Sequence, residues 1–125
     1  ALTVIDESSL QTISGLTKNE MLSPASPVTI AFRMLNNLKA YYMSLENWRA
    51  MLLTTEYQIG IVHDEPRLLG MVHFERGEYC QGLNDSKAAL VEYARCAEVS
   101  PDSELVKRAN AKLDQLIGTN QGPLH

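Results

Sequence analysis

Two thiols, three imidazoles and a scatter of carboxylates are the groups through which this chain could do chemistry. Cys80 could serve as a nucleophile with His63 or His73 as its base, since a thiol needs a neighbouring imidazole to become a thiolate at neutral pH. No nucleophile motif surrounds it. Cys80 lies in the polar stretch EYCQGLNDS beside Gly82, where a surface loop thiol is expected instead. Cys96 falls among Ala94 and Ala97 on the apolar side of a helical pattern and reads as a small core residue. His63, His73 and His125 show no metal-ligand spacing, and no Cys pair accompanies them. Glu75, Glu78 and Glu92 have the functional group for acid–base work, but exposed helical carboxylates are the expectation for all three. Gly70, Gly77 and Gly82 are too far apart for a phosphate loop and follow no strand. The residues therefore give no catalytic constellation, no metal site and no cofactor site.

The cations carry more information. Arg33, Asn36, Ala40 and Met43 share one face of a first helical pattern. Arg67, Met71 and Phe74 share one face of a third, and Arg108 and Lys112 one face of a fifth. Stacked hairpins would align these faces along one concave wall. Such a wall combines cations, an amide and apolar surface, which suits an acidic or C-terminal peptide segment of a partner protein. The plainer reading is a set of solvated Arg and Lys side chains.

The elements that would position them are helical throughout. The chain has 125 residues, 45% apolar and 21% charged, which is an ordinary globular mix for one domain. The formal charge of −4 argues against a phosphate-binding surface, hence no nucleic acid. No apolar run reaches the length of a membrane span, so no membrane insertion is expected. Two cysteines are too few for a disulfide scaffold and fit a reducing compartment, cytoplasm or organelle stroma. The chain opens without Met, as a processed product or a piece of a longer protein would.

Residues 1–26 read as a lead-in, with a short helical turn around 6–13, which packs on the domain or joins it to something upstream. Ser26-Pro27 is a helix start signal. Apolar residues then recur at Ile30, Met34, Leu35, Leu38, Tyr41, Tyr42 and Leu45, a wide helical stripe over 27–45. A second helix covers 48–62 and a third 66–76, ended by Gly77. Gly70 inside the third predicts a close helix–helix approach. Asn84, Asp85 or Ser86 caps a fourth helix over 87–99. A fifth covers 104–117, stopped by Gly118, with 119–125 as a tail. Trp48 is expected against the preceding hairpin, and Tyr41 and Phe74 toward the groove.

Short turns make these helices antiparallel neighbours, an all-α stack of two hairpins with a C-terminal capping helix over 27–118. From Leu69 to Pro101 the order Leu69-Gly70, His73, Gly77, Ala89, Tyr93, Cys96, Pro101 follows the tetratricopeptide (TPR) pattern. In that pattern small residues let helices approach and the aromatic fills the gap between hairpins. Gly77 to Ala89 is about seven residues too long for a standard repeat, so residues 79–85 read as an insertion, either a loop or two extra turns of helix.

Residues 24–117 also resemble the tail of the SirB family, in which a transglutaminase-like domain precedes a TPR-like region. Arg33-Met34-Leu35-Asn36-Asn37-Leu38-Lys39 is similar to that tail's R-x-L-x-N-L-K opening. Tyr42, Asn47-Trp48, Arg67-Leu68-Leu69-Gly70, Gly77, Tyr79, Tyr93 and Pro101 follow in the family's order. The resemblance implies a fold and an adaptor role, and it carries no activity. Two functions are then expected. One is a non-catalytic adaptor that binds a partner through the concave face or the 79–85 insertion. The other is an accessory domain supporting a transglutaminase-like catalytic domain of the Cys-His-Asp type.

Overall fold

The structure, a computed structural model, describes residues 26–121, with side chains through Gly118. The lead-in up to residue 25, including the turn expected at 6–13, and His125 lie outside the described residues. Five helices account for the rest: α1 (Pro27–Ser44), α2 (Trp48–Val62), α3 (Pro66–Gly82), α4 (Ser86–Val99) and α5 (Ser103–Gln121). There is no strand among the described residues.

Local chemistry sets each start. Ser26 accepts a hydrogen bond from the Thr29 N–H at 3.0 Å, and Pro27 follows at the first helical position. At the head of α3, Glu65 accepts from the Arg67 N–H at 3.3 Å and Pro66 takes the first helical position. Asn47 caps α2 through the Ala50 N–H, Asp85 caps α4 through the Ala88 N–H, and the Asp102 carboxylate takes the Glu104 N–H at the head of α5. Each cap satisfies a backbone donor that has no partner inside the helix.

The two hairpins are copies of one unit. Leu45-Glu46-Asn47 and Leu83-Asn84-Asp85 make the same turn. In each, the middle residue takes a positive φ, 52° at Glu46 and 60° at Asn84. Each turn closes with the same three backbone bonds, and the last of these runs from Asn47 to the Tyr42 carbonyl and from Asp85 to the Cys80 carbonyl. A turn this short forces antiparallel packing, and each helix packs on its sequence neighbours, with α3 also touching α5.

The structure corrects two helix ends. Gly77 does not stop α3, which continues to Gly82, so residues 79–82 are helix and not a projecting loop. Because α1, with 18 residues, is as extended as α3, with 17, this extension belongs to both hairpins and is not an insertion in one. Gly118 does not stop α5 either, which runs on to Gln121.

The glycines act through close approach. A Cβ on Gly77 would lie 2.5–2.7 Å from the Tyr93 ring, and one on Gly70 would lie 2.7 Å from Ser100 Cβ. Only hydrogen fits at either place, so α3 seats directly on α4. One apolar core gathers Phe74, Cys80, Ala89, Tyr93, Cys96, Leu105, Ala109 and Leu116 from α3, α4 and α5. A second gathers Val28, Phe32, Val62 and Val72 from α1, α2 and α3. Trp48 faces forward and not backward: its indole lies over Gly82 and 6.2 Å from the Tyr79 ring, centroid to centroid.

Candidate interaction groove

The facing sides of α1 and α3 enclose an open groove of about 260 Å³. Phe32, Asn36, Lys39, Ala40 and Met43 line it from α1, and Met71, Glu75 and Tyr79 from α3. Their spacings of three and four come from the helix period, so each set forms one continuous wall.

Its floor is polar. Lys39 Nζ donates to Glu75 Oε1 at 2.7 Å. Lys39 is 3% exposed, whereas the Glu75 side chain keeps a third of its surface. A buried ammonium requires such a partner. The Asn36 amide oxygen accepts from Gln58 Nε2 at 2.9 Å, and Gln58 is wholly buried in α2. Burial, then the Glu75 and Glu78 carboxylates, push the Tyr79 hydroxyl well above its usual range, so it stays protonated. Burial likewise pushes the Glu78 carboxyl up, with Glu75 adding to this while Lys112 and Arg108 oppose it.

The rim is apolar and accessible: Met43 is 50% exposed and Met71 42%. Unbranched thioether side chains fit irregular partner surfaces well.

Behind the groove a second polar network joins three helices. Glu92 in α4 is buried, and its Oε1 accepts from His73 Nδ1 at 2.8 Å. Arg76 Nε lies 3.2 Å from Glu92 Oε2, and Arg76 Nη1 donates to Thr55 Oγ1 at 2.8 Å and to the Leu52 carbonyl at 3.3 Å. Burial pushes the Glu92 carboxyl up, but the His73 hydrogen bond and the Arg76 guanidinium outweigh it and hold the group below its ordinary value. Glu92 is therefore not the exposed helical carboxylate its sequence position suggests. It is a brace between the hairpins.

The thiols are also placed differently from expectation at one site. Cys80 is buried in α3 and is not a loop thiol. Burial, and then the Glu92 carboxylate, push its pKa up, and burial pushes Cys96 up to about 11. A protonated, enclosed thiol is a poor nucleophile. Among the described residues no three His, Cys, Asp or Glu side chains are grouped to hold a metal ion, and no helix is long and apolar enough to cross a membrane.

Of the residues singled out from sequence, Asn36, Ala40, Met43 and Met71 meet in the groove. Arg33 stands one turn before Asn36, and Arg67 one turn before Met71. Both are exposed beyond the lining. Phe74 turns the other way. It is 4% exposed, packs edge-on against Tyr93 at 5.3 Å, and carries the Arg108 guanidinium 4.7 Å above its ring. The inner register of α3 is Met71, Glu75 and Tyr79, one residue off at the Phe74 turn. Arg108 and the half-buried Lys112 lie along α5 beside Glu78, apart from the α1–α3 lining. Tyr41 is exposed but lies outside the groove. Sequence reasoning missed Lys39, Glu75 and Tyr79. Lys39 sits i, i+3 from Asn36 and Glu75 sits i, i+4 from Met71, both already assigned to the inner face, which was the available signal.

No family model, curated protein or solved structure matches this chain.

Proposed function

We propose that the chain is a non-catalytic, TPR-like interaction module that holds a partner protein segment in the α1–α3 groove. The observation that carries this reading is the open wall of Met43, Ala40 and Met71 above a fixed polar floor. Flexible apolar side chains supply contact area, and Asn36 with the Lys39–Glu75 pair supplies direction. A partner segment would present apolar anchors to the methionines. Its acidic groups would meet Arg33 and Arg67, exposed just beyond the lining, where charge-assisted bonds form in a salt-sensitive way. The repeated hairpin supports a TPR-like architecture, with a unit longer than the usual repeat of about 34 residues. The buried, protonated Cys80 supports a module without a thiol nucleophile. The helical course of residues 79–82, with Tyr79 and Cys80 enclosed, favours the groove over the 79–85 segment as the contact surface. The resemblance of residues 24–117 to the SirB tail keeps a role beside a transglutaminase-like domain as the second reading.

The test is a pull-down from native extract followed by titration calorimetry on the purified partner segment. Met71→Glu places a charge on the apolar wall and is expected to weaken binding more than tenfold. Arg67→Glu weakens it less and flattens its salt dependence. Arg95→Glu, at an exposed position on α4, leaves it unchanged. Equal affinities for wild type and Met71→Glu would exclude the groove.

A further inference from the structure

The floor of the α1–α3 groove holds more hydrogen-bond donors than it uses. Gln58 is wholly buried, and its Nε2 lies 3.4 Å from the Phe32 carbonyl oxygen and 2.9 Å from Asn36 Oδ1. A carbonyl can only accept, so Gln58 must turn its amide nitrogen, not its oxygen, toward α1. Asn36 must then meet that nitrogen with oxygen. This fixes which end of the Asn36 carboxamide is left over. It is the amide nitrogen, with two donors and no acceptor among the described residues, on a side chain that lines the groove. One turn further on, the enclosed Lys39 ammonium has three donors and gives one of them to Glu75 Oε1. Donors left without acceptors at an enclosed floor are costly, so this strip favours an occupant that brings oxygen.

Charge decides which kind of oxygen. Lys39 and Glu75 cancel one another, and Glu78 stands close enough to Glu75 for the two carboxylates to disfavour each other's charge. A carboxylate entering here would add a third negative charge beside one ammonium. A neutral carbonyl takes the same donors without that repulsion. The neutral carbonyls that every protein segment carries are those of its main chain. The apolar residues are spaced to suit a chain running along the groove. The Lys39–Glu75 bond sets α1 and α3 level at that turn, and the two helices run in the same direction because two short turns reverse the chain between them. Met71 therefore lies one turn before the pair and Met43 one turn after it, about 12 Å apart along the axis. Residues i and i+4 of an extended segment share a face and stand about 13 Å apart. Ala40, small and exposed, lets a main chain come close to α1 between them.

We propose that the groove takes its partner as an extended, internal stretch of neutral main chain: Asn36 and Lys39 donate to peptide carbonyls, and apolar side chains four residues apart rest on Met71 and Met43. This rests on the groove being the contact surface, and it adds what the groove reads. Because main-chain atoms are common to all sequences, a generic peptide is a fair probe. Acetyl-Leu-Ser-Leu-Ser-Leu-amide is titrated to the millimolar range into the full chain, labelled at side-chain amides and Met methyls for nuclear magnetic resonance. The Asn36 carboxamide and the Met43 and Met71 methyl signals should move together and saturate, with an affinity that added salt leaves unchanged. The same peptide ending in a free carboxylate should bind no tighter. Asn36→Asp keeps the oxygen that Gln58 needs and removes both free donors, so it should weaken the capped peptide severalfold with the helical circular dichroism spectrum retained. Methionine signals that move while the Asn36 signals stay, or equal affinities for wild type and Asn36→Asp, overturn main-chain capture and leave the groove as a contact surface. Tighter binding of the free carboxylate also overturns it and assigns the floor to a chain end. Asn36 signals that move when the protein alone is concentrated assign the groove to a second copy. If neither set of signals moves, this proposal and the groove reading fall together.

Discussion

Lys39 and Glu75 form an ion pair of unequal burial, 2.7 Å apart, with the ammonium enclosed and the carboxylate at the groove surface. That inequality predicts unequal mutational costs. Lys39→Met removes the enclosed charge and leaves a carboxylate that water can reach. Glu75→Ala leaves the ammonium enclosed without its partner. Breaking a buried pair from the wrong side costs about 3–5 kcal/mol. Partial exposure of Glu75 reduces that figure here, but the order should hold. Urea denaturation of both variants should show Glu75→Ala clearly less stable than Lys39→Met, and the reverse order would show that the pair is not the floor described above.

Glu92 predicts the acid limb of the stability curve. Its folded pKa lies below the ordinary value of 4.5. A carboxylate lowered by folding contributes stability that is fully present above its unfolded pKa and is lost as pH falls through the folded one. Below about pH 4.5 the wild type should therefore lose stability through this group, and Glu92→Gln should show a shallower acid limb. Glu78 has the opposite sign, since folding raises its pKa. Its penalty is present when it is ionised and disappears as pH falls, so Glu78→Gln should be neutral or stabilising at pH 7. Thermal denaturation between pH 3 and 7 checks both. Parallel curves for wild type and Glu92→Gln would remove Glu92 from the brace.

Much of this arrangement can be read from residue types. Ser26-Pro27, Asn47 and Asp85 mark helix starts because short polar side chains capture orphan N–H groups, a local effect that needs no tertiary knowledge. Gly70 signals a close approach because its cost within a helix requires a compensating contact. Gly77 carries the same signal but reads more naturally as a stop, and that misreading turned one long helix into a helix plus an insertion. Its glycine answers to the Tyr93 ring, which comes from another helix and is invisible to local rules. Phe74 and Glu75 are neighbours on one helix, and only packing against α4 and α5 decides which turns inward. Likewise Lys39 and Glu92 look like solvated charges until their partners from distant segments are in place.

The thiols predict slow chemistry. Cys80 and Cys96 are buried with raised pKa values, so at pH 8 neither should react with an aromatic disulfide reagent faster than the protein opens. Reaction rates in increasing urea should follow the unfolding curve. A fast phase in the native protein would show Cys80 to be accessible and reopen a redox or nucleophilic role for it.

The contact between Gly77 and Tyr93 predicts strong non-additivity. Gly77→Ala should gain about 1 kcal/mol in helix propensity. The added methyl would meet ring carbons 2.5–2.7 Å away, and Tyr93 is fully buried and cannot withdraw. Overpacking of this kind costs about 1–3 kcal/mol, so the single variant should be destabilised on balance. Tyr93→Ala removes the ring from the centre of the α3–α4–α5 core and should cost about 3–5 kcal/mol. Once the ring is gone, the Gly77 methyl has open space before it, and the propensity gain is no longer opposed. The double variant should therefore be more stable than Tyr93→Ala alone, although Gly77→Ala by itself is harmful. A sign reversal of this kind arises only when the two residues compete for one volume. Chemical denaturation of the four proteins measures the coupling. If Gly77→Ala is destabilising by the same amount with and without the Tyr93 ring, its role lies in backbone conformation and not in admitting α4.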